Sequence, residues 1–137
     1  MSLVLDASVV LAWLLPDEHS AQADQIIENL ASAPAHAPSL LLPEVANVLV
    51  QAERRARVPT STTGELLTSL LALPLLLDPI DAGAIERALP LARAHGLSIY
   101  DALYLELAQQ RQLPLATFDD VLRRAADGLG IDTLAGD

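Results

Sequence analysis

Leu3-Val4-Leu5-Asp6-Ala7-Ser8-Val9-Val10-Leu11-Ala12-Trp13-Leu14-Leu15 is the stretch on which the fold turns. Leu3 to Leu5 is a short apolar run that reads as a buried strand, and Asp6 ends it. Ser8 then opens a second apolar run, Val9 to Leu15, which Pro16 stops. Strand, tight turn and helix follow one another, with Asp6 or Ser8 in the helix-capping position. The same alternation recurs downstream. Helical spacing is seen in Ser20–Leu30, in Leu41–Arg55, after Pro59-Thr60-Ser61, from Asp81 towards Ala94, in Asp101–Gln110 and in Val121–Ala126. Pro90 is a candidate kink in the fourth of these, and Gly96 lies past its end. Between them lie a loop or short strand bracketed by Pro34 and Pro38, a strand at Leu75–Leu77, a strand at Pro114–Phe118 and a last strand around Ile131. Helices alternating with short apolar strands predict a three-layer α/β/α fold around a short parallel sheet.

With 137 residues the chain suits one domain, expected to span residues 1–137. It has no cysteine, and all eight of its basic residues are arginine. Thiolate chemistry, cysteine-ligated zinc, Walker-A loops and lysine bases are therefore excluded. Aromatic residues make up only 3%, which argues against a base-stacking platform. No basic leader precedes Asp6, and the longest apolar runs are too short to span a bilayer, so a cytoplasmic protein without a membrane partner is expected. The net charge of −10 opposes nonspecific binding to nucleic acid.

Acidic residues occupy the places where an open α/β sheet collects its ligand, beyond the carboxyl ends of the strands. Asp6 ends the first strand, and Asp119-Asp120 follow the strand at Pro114–Phe118. Glu44 and Asp101 each start a helix. Taken singly, each reads as a helix cap or a first-turn acid. Yet Asp101 sits within Ile99-Tyr100-Asp101-Ala102-Leu103-Tyr104-Leu105, and an isolated buried carboxylate is costly. If the acids converge they repel, by about 4 kcal/mol per pair at about 4 Å and an effective dielectric near 20. A proton or a hard cation must then intervene. Carboxylates with Ser and Asn oxygens suit Mg²⁺ or Mn²⁺, and ions of this kind act on phosphodiesters without a histidine or lysine base. His19, His36 and His95 are dispersed, and no catalytic histidine is expected. Trp13 is expected to pack in the core or on a dimer face.

Four motifs occur in order: Leu3-Val4-Leu5-Asp6-Ala7-Ser8, Pro43-Glu44-Val45-Ala46-Asn47-Val48-Leu49, Tyr100-Asp101-Ala102-Leu103-Tyr104 and Leu115-Ala116-Thr117-Phe118-Asp119. Together they resemble PIN-domain ribonucleases, and among these the VapC-type toxins of prokaryotic toxin–antitoxin pairs. The resemblance implies metal-binding catalytic acids at Asp6, Glu44, Asp101 and Asp119. It also implies supporting hydroxyls at Ser8 and Thr117 and a polar helper at Asn47. A Thr-x-Asp pattern selects Asp119 over Asp120. The implied activity is Mg²⁺- or Mn²⁺-dependent cleavage of RNA by a homodimer. Its implied partner is a cognate antitoxin that covers or enters the acidic pocket. Arg54, Arg55 and Arg57, and again Arg123 and Arg124, are clusters that ordinarily mark solvated faces. Here Arg123 and Arg124 are also candidate phosphate contacts. Two rival readings differ in class. A phospho-acceptor receiver domain also gathers acids at strand ends, but it is expected to use a lysine. A catalytically silent binding module would sequester RNA or a protein partner, yet would have no reason to retain mutually repelling carboxylates.

Overall fold

Val4–Leu5 forms strand β1, and helix α1 (Ala7–Leu14) follows after a single extended residue, Asp6. The structure, a computed structural model, describes residues 2–134. A 3₁₀ turn at Pro16–Glu18 leads to α2 (Ala21–Asn29), which Ser20 caps by accepting the Ala23 amide. The segment between Pro34 and Pro38 is a strand, β2 (Ala35–Pro38). Then come α3 (Leu41–Arg54), α4 (Thr60–Leu71), β3 (Leu75–Asp78), α5 (Ala82–His95), α6 (Ile99–Arg111), β4 (Leu115–Ala116), α7 (Asp120–Gly128) and β5 (Thr133–Leu134).

The five strands form one parallel sheet in the order β3-β2-β1-β4-β5. Helices α5, α6 and α7 pack as one group, with α6 on β1, β2 and β4; α1 packs with α2, α3 and α4. This is the expected three-layer α/β/α arrangement. The core is aliphatic, with Val4, Leu5, Val9, Leu41, Leu49, Leu105 and Leu115 essentially without solvent contact. Each such side chain contributes roughly 1.5–3 kcal/mol on burial. Trp13 packs, half-buried, against this core.

Two expectations shift. The last strand pairs at Thr133–Leu134 rather than around Ile131, because register with Leu115 and Ala116 sets it. Helix α5 runs through Pro90 to its left-handed cap at Gly96. The expected domain extent includes residues 1 and 135–137, which lie outside the described residues. No helix among the described residues is long and apolar enough to cross a membrane.

The strand order defines where a ligand can sit. From β1 the chain builds outward to β2 and β3 on one side, while β4 and β5 add to the other. The switch point therefore lies between β1 and β4, beyond their carboxyl ends. Asp6 and Thr117 are the next residues along these two strands, in the register Leu5 to Ala116.

Candidate active site

Asp6 occupies the N-cap position of α1, but its side chain does not cap the helix. Its carboxylate, in a residue only 4% exposed, accepts two hydroxyls on the same oxygen. Ser8 Oγ donates to Asp6 Oδ2 at 2.7 Å, and Thr117 Oγ1 donates to it at 2.7 Å. Each hydroxyl is itself an acceptor from the β4–α7 turn. The Phe118 amide donates to Ser8 Oγ at 2.9 Å, and the Asp119 amide donates to Thr117 Oγ1 at 3.0 Å. A hydroxyl has one proton, so with the amides donating inward both protons must point at Asp6. Burial pushes the Asp6 pKa upward, against the hydroxyls of Ser8 and Thr117 and the amides of Ala7 and Ser8, which favour the anion.

Glu44 lies in the first turn of α3, half-buried. Tyr104, entirely buried on α6, donates its hydroxyl to Glu44 Oε1 at 2.8 Å. Burial raises the Glu44 pKa most, Tyr104 lowers it, and the charges of Asp6 and Asp101 raise it further. Asp101 stands in the first turn of α6, where Ser98 Oγ accepts its amide at 3.1 Å. Burial again raises its pKa, followed by the charges of Asp6 and Asp119, with Ser98 opposing. Burial, then the Glu44 charge, pushes the Tyr104 phenol well above its ordinary range.

Asp119 and Asp120 separate cleanly. Asp119 caps α7, its Oδ1 accepting the Leu122 amide at 3.0 Å, and its charge is felt at Asp101. Asp120 is exposed and pairs with Arg123 at 2.8 Å. Thus Asp6, Glu44, Asp101 and Asp119, from four different elements, share one electrostatic neighbourhood, and Ser8 and Thr117 brace it. Asn47 is exposed one turn beyond Glu44 and makes no hydrogen bond among the described residues. Arg124 is exposed on α7. Among the described residues, no set of three or more Asp, Glu or His side chains forms a ready-made cage for an ion as placed.

Sequence reasoning assigned no role to Tyr104. The available signal was a hydroxyl at position i+3 from Asp101 in an otherwise apolar helix, since a buried phenol needs a partner.

Fold and site define an α/β protein with a cluster of acidic side chains at the switch point of its sheet. Residues 3–128 match the PIN domain family. Ribonuclease VapC3 of Pyrobaculum aerophilum is 32% identical over 120 residues, covering 87% of this chain and 90% of that protein. The crystal structure of PAE2754 from Pyrobaculum aerophilum superposes with a TM-score of 0.71 at 26% identity, over 98% of this chain and 92% of that one. A toxin–antitoxin complex from Klebsiella pneumoniae contains a chain of the same fold, with a TM-score of 0.62 at 19% identity, over 98% of this chain and 96% of that one. The chain belongs to the PIN-domain family.

Proposed function

We propose that this chain is a metal-dependent endoribonuclease that hydrolyses RNA phosphodiester bonds and serves as the toxin of a toxin–antitoxin pair. The observation that carries the reading is the convergence of Asp6, Glu44, Asp101 and Asp119 at the switch point, three of them with pKa values raised by burial. Four carboxylates held in mutual repulsion lower stability unless a cation offsets them. The donor set fits a hard divalent ion, because it is all oxygen and the chain contains no cysteine. When bound, Mg²⁺ or Mn²⁺ supplies a Lewis acid that acidifies water and neutralises phosphate charge.

The protein's own part is preparation. Ser8 and Thr117 hold Asp6 in one orientation, and Tyr104 holds Glu44. Asp101 and Asp119, each on a helix N-terminus, complete the acidic wall. A homodimer and a cognate antitoxin that covers this wall belong to the same proposal; the toxin–antitoxin complex from Klebsiella pneumoniae supports the antitoxin partner.

The test is cleavage of a generic single-stranded RNA by the purified chain. Cleavage is expected with Mg²⁺ or Mn²⁺, is expected to stop with chelator, and is expected to fall at least about 100-fold in Asp6→Asn. Undiminished cleavage by Asp6→Asn, or in excess chelator, overturns the proposal. RNA binding with no cleavage under any metal condition would instead support a silent module.

A further inference from the structure

Tyr104 is the one phenol whose hydroxyl is spent wholly inside the acidic pocket. Its side chain has no solvent contact, and its hydroxyl donates only to Glu44 Oε1, at 2.8 Å. Glu44 Oε2 carries no hydrogen bond from any described residue. The two oxygens of Glu44 are therefore unequal. One is anchored to a helix on which Ala102 to Ala108 are all buried, and the other is left without a protein donor. Asp6 shows the same design by other means, with both hydroxyls gathered on Oδ2.

We propose that Tyr104 is a positioning residue that aims Glu44: by holding Oε1, it dedicates Oε2 to a divalent cation in the acidic pocket. The proposal rests on the metal-dependent reading above and deepens it. Glu44 is only half-buried and its side chain has three rotatable bonds. Without the phenol it is free to turn toward water, and each binding event must then reorder it. Tyr104 and Asp101 are three residues apart on α6 and so lie on neighbouring positions of one helical face. The helix that carries Asp101 thereby also sets the orientation of an acid on α3.

The experiment measures Mn²⁺ affinity by titration calorimetry on the full chain, for wild type, Tyr104→Phe, Glu44→Gln and the double variant. Tyr104→Phe keeps the ring and removes only the hydroxyl. It is expected to weaken Mn²⁺ binding about 10-fold, the lower end for loss of an outer-shell partner. The double variant is expected to bind no more weakly than Glu44→Gln alone, because Tyr104 acts through Glu44. A Tyr104→Phe affinity within about twofold of wild type, or losses that simply add in the double variant, overturns the inference. Wild type that binds no Mn²⁺ overturns the metal-dependent reading itself, a distinguishable result. Should Tyr104→Phe fail to fold, 3-fluorotyrosine labelling replaces it. The ¹⁹F resonance of buried Tyr104 is then expected to shift with saturating Mg²⁺ in wild type and to stay fixed in Glu44→Gln. A resonance that ignores Mg²⁺, or shifts equally in Glu44→Gln, overturns the proposal.

Discussion

Glu44, proposed above as a metal ligand, shows what a half-buried acid does to the stability of the fold. Its pKa is raised in the fold by burial and by Asp6 and Asp101, and the pKa values of Asp6 and Asp101 are raised likewise. A carboxyl whose folded pKa exceeds its unfolded value makes the native state bind more protons. The stability that results is complete below the ordinary carboxylate values near 4 and is lost as pH rises through the raised folded values. In chelator, the melting temperature should therefore climb as pH is lowered from neutrality toward the ordinary carboxylate range. Glu44→Gln keeps a carbonyl for the Tyr104 hydroxyl and deletes the charge. Scanning calorimetry in chelator should find it more stable than wild type at pH 7.5 by about 1 kcal/mol, some 3–5 °C for a chain of this size, with a flatter pH profile. A variant less stable than wild type would show that the acids do not strain the metal-free pocket.

At the scale of the element, α6 does the most. Residues Ala102 to Ala108 are buried throughout, and Glu106, the one charge among them, pairs with Arg87 of α5 at 2.7 Å. Its start is set by a short link from α5. Gly96 closes α5 with φ of 63°, and Ser98 then caps α6 through the Asp101 amide. A Cβ at Gly96 would meet no atom within 4 Å, so the cost of Gly96→Ala is purely backbone strain, about 1–2 kcal/mol. Ser98→Ala should cost about 1 kcal/mol through removal of the cap. Both should lower the urea midpoint. Only Ser98→Ala should also weaken Mn²⁺ binding, because its partner is the amide of Asp101. Equal metal affinity in the two variants would detach the cap from the site.

For the whole molecule, the proposed RNA substrate sets a difficulty, since a chain of net charge −10 would have to approach a polyanion. Two divalent ions would bring it only to about −6. Half of the arginines are engaged in ion pairs: Arg57 with Asp17 and Glu18, Arg87 with Glu106, Arg111 with Asp78, and Arg123 with Asp120. Arg123 and Arg124 lie on α7, whose cap is Asp119, so they start within about one turn of the acidic pocket. The exposed Asp120–Arg123 pair is worth at most about 1 kcal/mol, little enough for a phosphate to displace. Arg123→Ala with Arg124→Ala should leave the fold intact and weaken RNA binding in a filter assay. The salt slope should fall by about 0.7 for each phosphate that no longer meets an arginine on single-stranded RNA. Unchanged affinity and slope would place the RNA elsewhere.

Much of this was legible in the residues themselves. Strand–helix alternation follows from hydrophobic period and punctuation, so the α/β fold and the placing of Asp6 and Asp119 beyond strand ends could be read directly. The absence of cysteine and lysine, together with the dispersal of His19, His36 and His95, points the acidic cluster to oxygen chemistry. Local spacing, however, sets only local geometry. Ser8 meets Thr117 across 109 positions and Thr117 meets Asp6 across 111, and both meetings depend on the β1–β4 register. The separate fates of Asp119 and Asp120, the exposure of Asn47 and the grip of Tyr104 on Glu44 likewise required the packed helices. A side chain's partner is decided by which surfaces the core brings together, and no spacing along the chain encodes that.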